Sequence, residues 1–225
     1  MPELHRQFRE LKGGNKLKPI LFNTEMVRAI LDGRKTTTRR VIKGIALDWL
    51  TKGCFTSKFV ASPDNYLAPY TVGDVLYVRE TFTELCRTDE NGYTHYNESF
   101  YLYAADSPQI DLYDGDGFLL DDQRIKWHPS IHMPKEAARI FLRVTDVRAE
   151  RLQDITEDGA KAEGTDADVQ IAGGYVLDGY YRSRFATHLW NTTVKKSDID
   201  KYGWEANPFV WVISFERCKK PKDEN

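Results

Sequence analysis

Apolar positions in this chain fall into short blocks whose spacing alternates between two residues and about four. Pro19-Ile20-Leu21-Phe22 is a compact apolar run that reads as a strand. Asn23 or Thr24 follows as an N-cap. Met26, Val27, Ile30 and Leu31 then recur on one face of a helix. Gly33 is placed as the C′ residue of that helix, where a left-handed backbone is cheap. The helix therefore stops just before Arg34-Lys35-Thr36-Thr37-Thr38-Arg39-Arg40, whose three threonines favour an extended backbone. Downstream, Gly73-Asp74 turns into a strand over residues 75–80, and Asn91-Gly92 predicts a hairpin between 82–87 and 93–103. Residues 138–147 alternate, with Ile140, Leu142 and Val144 set against Phe141, Arg143 and Thr145. Thr156 caps a short helix that ends near Glu163 and is closed by Gly164. A second helix spans 180–191 with Phe185, Leu189 and Trp190 inward, and 209–215 reads as a last strand.

Strands outnumber helices, and repeated strand–helix–strand alternation is missing. That disfavours a doubly wound parallel sheet and predicts an α+β fold: an antiparallel β-barrel with helices packed at its ends. Residues 17–218 form one domain with an acidic insertion around 84–130. Residues 1–16, with Gly13-Gly14, read as a flexible extension, and 219–225 as a tail.

Composition narrows the function classes. The chain has 225 residues, 41% hydrophobic and 29% charged, which is a globular balance. A formal net charge of -2 excludes a histone-like or ribosomal-protein-like binder but allows local basic patches. Charge is unevenly spread: residues 1–43 carry eleven Lys/Arg against four acids, and 84–122 carry ten acids against one Arg. Two solvated faces account for this, and so does a basic mouth for phosphate or RNA beside an acidic insertion. Cys54, Cys86 and Cys218 are odd in number and far apart, which excludes a disulfide scaffold and points to a reducing, cytoplasmic compartment. No apolar run approaches the ~20 residues of a membrane helix, and residues 1–18 lack the apolar core of a signal peptide. No partner membrane is therefore expected.

Most chemical motifs fail. No glycine-rich phosphate loop is present. Asp114-Gly115-Asp116-Gly117 resembles part of a calcium loop, but Leu112 and Gln123 stand where the first and last ligands belong. His128 and His132 are four apart, but Pro129 and Pro134 break the helix that a zinc pair would use. No metal or cofactor is expected. The run from Gly33 to Arg40 survives, with four cations within seven residues. A lysine among three arginines is expected to lose its proton more readily, because its charged form is repelled. A neutral amine beside a threonine hydroxyl is a base–nucleophile pair. The same run also reads as a solvated basic strand.

The stretch Ile30-Leu31-Asp32-Gly33-Arg34-Lys35-Thr36-Thr37-Thr38-Arg39-Arg40 resembles the signature of the ASCH domain family, whose members adopt a PUA-like β-barrel. Residues 19–27, 73–81, 131–134 and 202–208 resemble ASCH proteins encoded by bacteriophages and prophages, so the resemblance covers roughly residues 18–217. A bacterial branch, the N4-acetylcytidine amidohydrolases, carries the pattern Gly-Arg-Lys-Thr-x-Thr-x-Arg. It is matched here with Lys35, Thr38 and Arg40 on its Lys, second Thr and last Arg. Their catalytic Glu lies in a helix that begins Leu-Thr-Glu, and the layout of Ile155-Thr156-Glu157 through Glu163 puts Glu163 on it. This chain is about twice as long as those enzymes.

The resemblance implies RNA or a modified nucleoside as partner, with Thr38 as nucleophile, Lys35 as its base and Glu163 as proton donor or water activator. Arg39, Arg40 or backbone N–H groups would hold the oxyanion. Arg34, Arg39, Arg40, Tyr77, Arg79 and Glu80 are the candidate substrate- or RNA-contacting residues. Tyr77, Trp127, Trp190 and Trp204 are candidate stacking surfaces, and equally core aromatics. Rival readings are a non-catalytic RNA-binding module, a ribonuclease, and a phage assembly or host-interaction protein. The oligomeric state is left open.

Overall fold

The computed structural model describes residues 17–88, 94–106, 112–113, 119–120, 125–165 and 180–221. The extension 1–16, the Asn91-Gly92 turn, the calcium-like run 114–117 and most of the acidic loop lie outside them. Strands β1 (Lys18–Leu21), β2 (Thr37–Val41), β3 (Val75–Arg79), β8 (Phe141–Arg151) and β9 (Phe209–Cys218) form one sheet, in the order β1-β3-β8-β9-β2. β4 (Phe82–Thr88) and β5 (Thr94–Tyr103) pair as an antiparallel ribbon, as do the short β6 (Leu112–Tyr113) and β7 (Leu119–Leu120).

Helix α1 (Thr24–Leu31) follows its sequence signals closely. Asn23 accepts a hydrogen bond from the Met26 N–H at 2.9 Å, and Met26, Val27, Ala29 and Ile30 are buried. Gly33 has φ +77° and ends the helix. Two further helices, α2 (Ile45–Thr51) and α3 (Ser57–Val60), carry no periodic signal long enough to announce them. α4 (Glu157–Ala162) is capped by Thr156, which accepts from the Gly159 N–H at 3.0 Å. The helix expected over 180–191 is divided. α5 (Tyr180–Arg184) runs into a π-helical turn, Phe185–Trp190, then α6 (Asn191–Thr193). α7 (Ile199–Tyr202) precedes β9.

The α+β class holds, but the hydrogen-bonded sheet is mixed and, among the described residues, does not close into a barrel. β1 pairs β3 in parallel, and the other ladders of the sheet are antiparallel. β1 and β2 are the edges. Pro19 has no N–H to offer at the free edge of β1, which suits an edge strand. The outward carbonyls there are met by side chains instead: the Tyr70 hydroxyl donates to Pro19 at 2.8 Å, and Arg40 Nη2, from β2, donates to Leu21 at 2.8 Å. The sheet thus curls until its two edges are joined by an arginine rather than by a ladder. Inside the curl, Ile20, Phe22, Leu76, Val78, Leu142, Val144, Trp211, Ile213 and Phe215 pack with α1 in one core.

β8 begins three residues later than the alternation suggests and runs four further, with a register shift between Val144 and Asp146. Phe141, expected on the face opposite the core, is also buried. A second cluster of Val75, Phe82, Met133 and Ala137 covers that face. A third cluster joins Leu152, Ile155, Ala160, Phe185, Trp190, Val210 and Val212, and seats α4 and the π-helical turn on the sheet.

Candidate active site

The loop between α1 and β2 is held from both sides. The Lys35 N–H donates to Ala29 at 2.9 Å, and the Thr36 N–H donates to Ala162 at 2.8 Å. Lys35 and Glu163 form an isolated antiparallel bridge that joins the start of β2 to the end of α4. Gly164 makes that approach sterically possible. Its φ is +84°, and a Cβ there would lie 2.7 Å from the Ala29 Cβ and 3.0 Å from the Lys35 Cβ.

Lys35 Nζ sits in this joint with no exposed side-chain surface. It donates to the Thr37 carbonyl at 2.8 Å, to the Glu163 carbonyl at 3.0 Å and to Glu163 Oε2 at 2.7 Å. Three acceptors match the three N–H donors of an ammonium. Burial pushes its pKa below the ordinary lysine value. Glu163 opposes that push, while Arg40 and Arg39 add to it. Repulsion among cations is therefore a lesser cause than the loss of water.

Glu163 divides its carboxylate. Oε2 takes Lys35, and Oε1 takes Arg39 Nη1 at 3.0 Å. The other edge of the Arg39 guanidinium donates to Glu150 Oε1, from Nη2 at 2.7 Å and Nε at 3.1 Å. Arg148 Nε holds the remaining Glu150 oxygen at 3.2 Å. Lys35, Arg39 and Glu163 are all buried, so their charges are compensated inside the fold rather than by solvent.

Arg39 and Arg40 are neighbours on a strand and face opposite ways. Arg39 lies 5.9 Å from the Phe185 ring and Arg40 lies 5.3 Å from the Phe22 ring. Arg39 spends three N–H groups on two carboxylates. Arg40 bonds only carbonyls, Leu21 and Arg39 (3.3 Å), and among the described residues has no carboxylate partner. Its guanidinium keeps N–H groups for an incoming oxygen, and burial lowers its pKa.

Thr38 is 1% exposed, and among the described residues its hydroxyl makes no hydrogen bond, including to Lys35. It lines a narrow cleft with Arg39, Arg40, Glu163, Leu189 and Trp190. The cleft volume open to water is about 10 Å³, room for about one water. A larger apolar hollow beside Tyr66 and Tyr70 holds about 140 Å³ but contains none of these groups.

The structure thus brings Thr38, Glu163, Arg39 and Arg40 to one cleft, with Lys35 reaching it only through Glu163. Arg34 is exposed nearby and donates to Asp32 and, at 3.1 Å, to the Gly164 carbonyl. Tyr77, Arg79 and Glu80 are not brought to the cleft. They lie on or just after β3, which β8 and β9 separate from β2 in the sheet, and Tyr77 packs on the cluster around Phe82. Arg79 donates to the Ile131 carbonyl. Glu80 is bound through both oxygens by Arg139, at 2.9 and 3.0 Å. Of the candidate aromatics, Trp190 lines the cleft, while Trp204 packs edge-on against Phe185 with centroids 6.2 Å apart. Glu150 has no signal in the sequence, since it lies beyond the alternating strand expected over 138–147. Among the described residues, no group of three or more His, Cys, Asp or Glu is placed to hold a metal ion. No described helix is long and apolar enough to cross a membrane.

No family model matches the chain, and no curated protein matches it. Among solved structures it is similar to the crystal structure of protein EF3133 from Enterococcus faecalis V583, described under the family model DUF984. The identity is 14% over 96% of this chain and 86% of that chain, with a TM-score of 0.34. At that TM-score nothing about the fold or the site is taken from the likeness.

Proposed function

We propose that this protein is an amidohydrolase of ASCH, PUA-like type that removes a small acyl group from an acylated nucleobase, as in N4-acetylcytidine. The observation that supports the reading is Glu163, which lines one narrow cleft with the unpartnered Thr38 hydroxyl and pairs behind it with the water-free Lys35 ammonium. The curled sheet, closed by Arg40 rather than by a ladder, supports a PUA-like arrangement.

The chemistry starts from the ammonium–carboxylate form. As an ammonium, Lys35 is an acid and not a base. Passing one proton across the 2.7 Å contact to Glu163 Oε2 yields a neutral amine and a carboxylic acid. Burial favours the neutral amine of Lys35 over its ammonium. The amine then accepts the Thr38 proton as Oγ1 attacks the acyl carbon. Arg40 N–H groups stabilise the oxyanion. The C–N bond breaks, the leaving amine takes the Glu163 proton, and the acyl group stays on Thr38 Oγ1. Glu163, again a carboxylate, takes a proton from a water that attacks the acyl carbon; the acyl–Oγ1 bond breaks, Lys35 returns its proton to Oγ1, and Glu163 passes its proton back to Lys35, which restores the ion pair. The cleft, with room for about one water, has to widen to take the acyl group, and the base stays outside it.

Thr38→Ser keeps the hydroxyl and is expected to turn over N4-acetylcytidine, followed by chromatography of released cytidine. Thr38→Val is expected to lose on the order of 10³-fold or more. A valine variant as active as wild type removes Thr38 from the mechanism.

A binding module without chemistry is the second reading. It is favoured by the complete saturation of Lys35, since three filled contacts also describe a structural staple. In that case Arg40 and Trp190 bind RNA or a nucleoside, and no cytidine is released.

A further inference from the structure

We infer that Glu150, acting through Arg39, is a positioning residue that keeps the Glu163 carboxylate available to Lys35. The inference rests on the amidohydrolase reading for its catalytic consequence, but its geometry and its test do not. A guanidinium has a two-N–H edge that grips a carboxylate far better than a single N–H does. Arg39 has two carboxylates within reach: it gives its Nε/Nη2 edge to Glu150 and makes a single contact, from Nη1, to Glu163. Glu163 consequently keeps Oε2 for Lys35. Glu150 is itself held in place, because Arg148 occupies its other oxygen. Without the Glu150 charge, the strong edge of Arg39 turns to Glu163, draws the carboxylate away and leaves the ammonium less supported.

The charged groups facing Lys35 are Glu163 at the end of α4 and Arg39 and Arg40 on β2. Those facing Glu150 are Arg39 and, from its own strand, Arg148. α1 meets the joint with Ala29, and the π-helical turn meets Arg39 with Phe185. Two substitutions therefore act on Lys35 in opposite directions. Glu150→Gln removes a negative charge and frees Arg39 to neutralise Glu163, so Lys35 gives up its proton at lower pH. Arg39→Gln removes a repelling cation and returns the whole Glu163 carboxylate to Lys35, so the proton is held to higher pH.

The test is an NMR titration of the Lys35 Cε–Hε signals in the full chain, for wild type, Glu150→Gln, Arg39→Gln and the double variant, with folding checked by circular dichroism. The expected result is a midpoint lowered by about one pH unit in Glu150→Gln, raised in Arg39→Gln, and equal to that of Arg39→Gln in the double variant. A merely structural role, in which either change lets water into the joint, raises the midpoint in both single variants and overturns the inference. So does a Glu150→Gln effect that persists in full when Arg39 is absent. If Glu150→Gln does not fold, the double variant still decides against Arg39→Gln alone, since the two must coincide. No substrate is needed, so failure of the amidohydrolase reading, seen as no cytidine release, is read separately. Where turnover is present, Glu150→Gln is expected to lower kcat with little change in KM and to move the pH profile with the Lys35 midpoint.

Discussion

Lys35 carries its charge where no water reaches it. Replacing Glu163 with Gln leaves two buried cations short of a carboxylate and is expected to cost about 3–5 kcal/mol. Lys35→Met costs less, because Glu163 keeps Arg39. Urea melts give the order, and a costlier Lys35→Met contradicts the account. The pH dependence has a definite sign. Burial places the folded pKa of Lys35 below 10.5, so between the two values the unfolded chain binds more protons. Stability linked to Lys35 therefore rises with pH through that window. Wild type should gain on Lys35→Met between neutral pH and about pH 10. A gain in the other direction means that Glu163 outweighs desolvation. At this scale Lys35, Thr38 and Glu163 were legible only through a resembling motif. The sequence shows four cations within seven residues but not that two of them, Lys35 and Arg39, are buried. Glu150 was illegible, since it lies past the expected end of its strand and an acid there more often faces water.

Helix ends were the most readable elements, because caps are local chemistry. Asn23, Thr156, Gly33 and Gly164 all stand where their side chains or backbones predict. The two glycines allow a controlled comparison. Both have positive φ, but a Cβ on Gly33 meets nothing within 4 Å, whereas on Gly164 it meets Ala29 at 2.7 Å. Gly33→Ala should cost about 1 kcal/mol, the backbone price alone. Gly164→Ala should cost clearly more, by thermal melting, because α1 and the α4 end must separate. Equal losses would show that the joint is not tight. The π-helical turn escaped the sequence because Phe185 and Trp190 satisfy a helical period across it. Their burial against Leu152, Val210 and Val212 selects the wider turn.

At the scale of the whole molecule, the pattern of strands conveyed the α+β class but not how the sheet ends. Alternation records which face of a strand is buried and says nothing about which edge is paired. Here the two edges meet through Arg40 and Leu21. Arg40→Leu keeps the bulk beside Phe22 and removes the link. Amide exchange in β1 should quicken about tenfold, the equivalent of ~1.4 kcal/mol, while the β8–β9 ladder stays protected. Unchanged β1 exchange would mean that the curl stands without the arginine.

The amidohydrolase account is tested most directly by incubating wild type and Lys35→Ala with N4-acetylcytidine and following cytidine release by chromatography. The account predicts release by wild type and none above background by Lys35→Ala. No release by wild type, or equal release by both proteins, contradicts it.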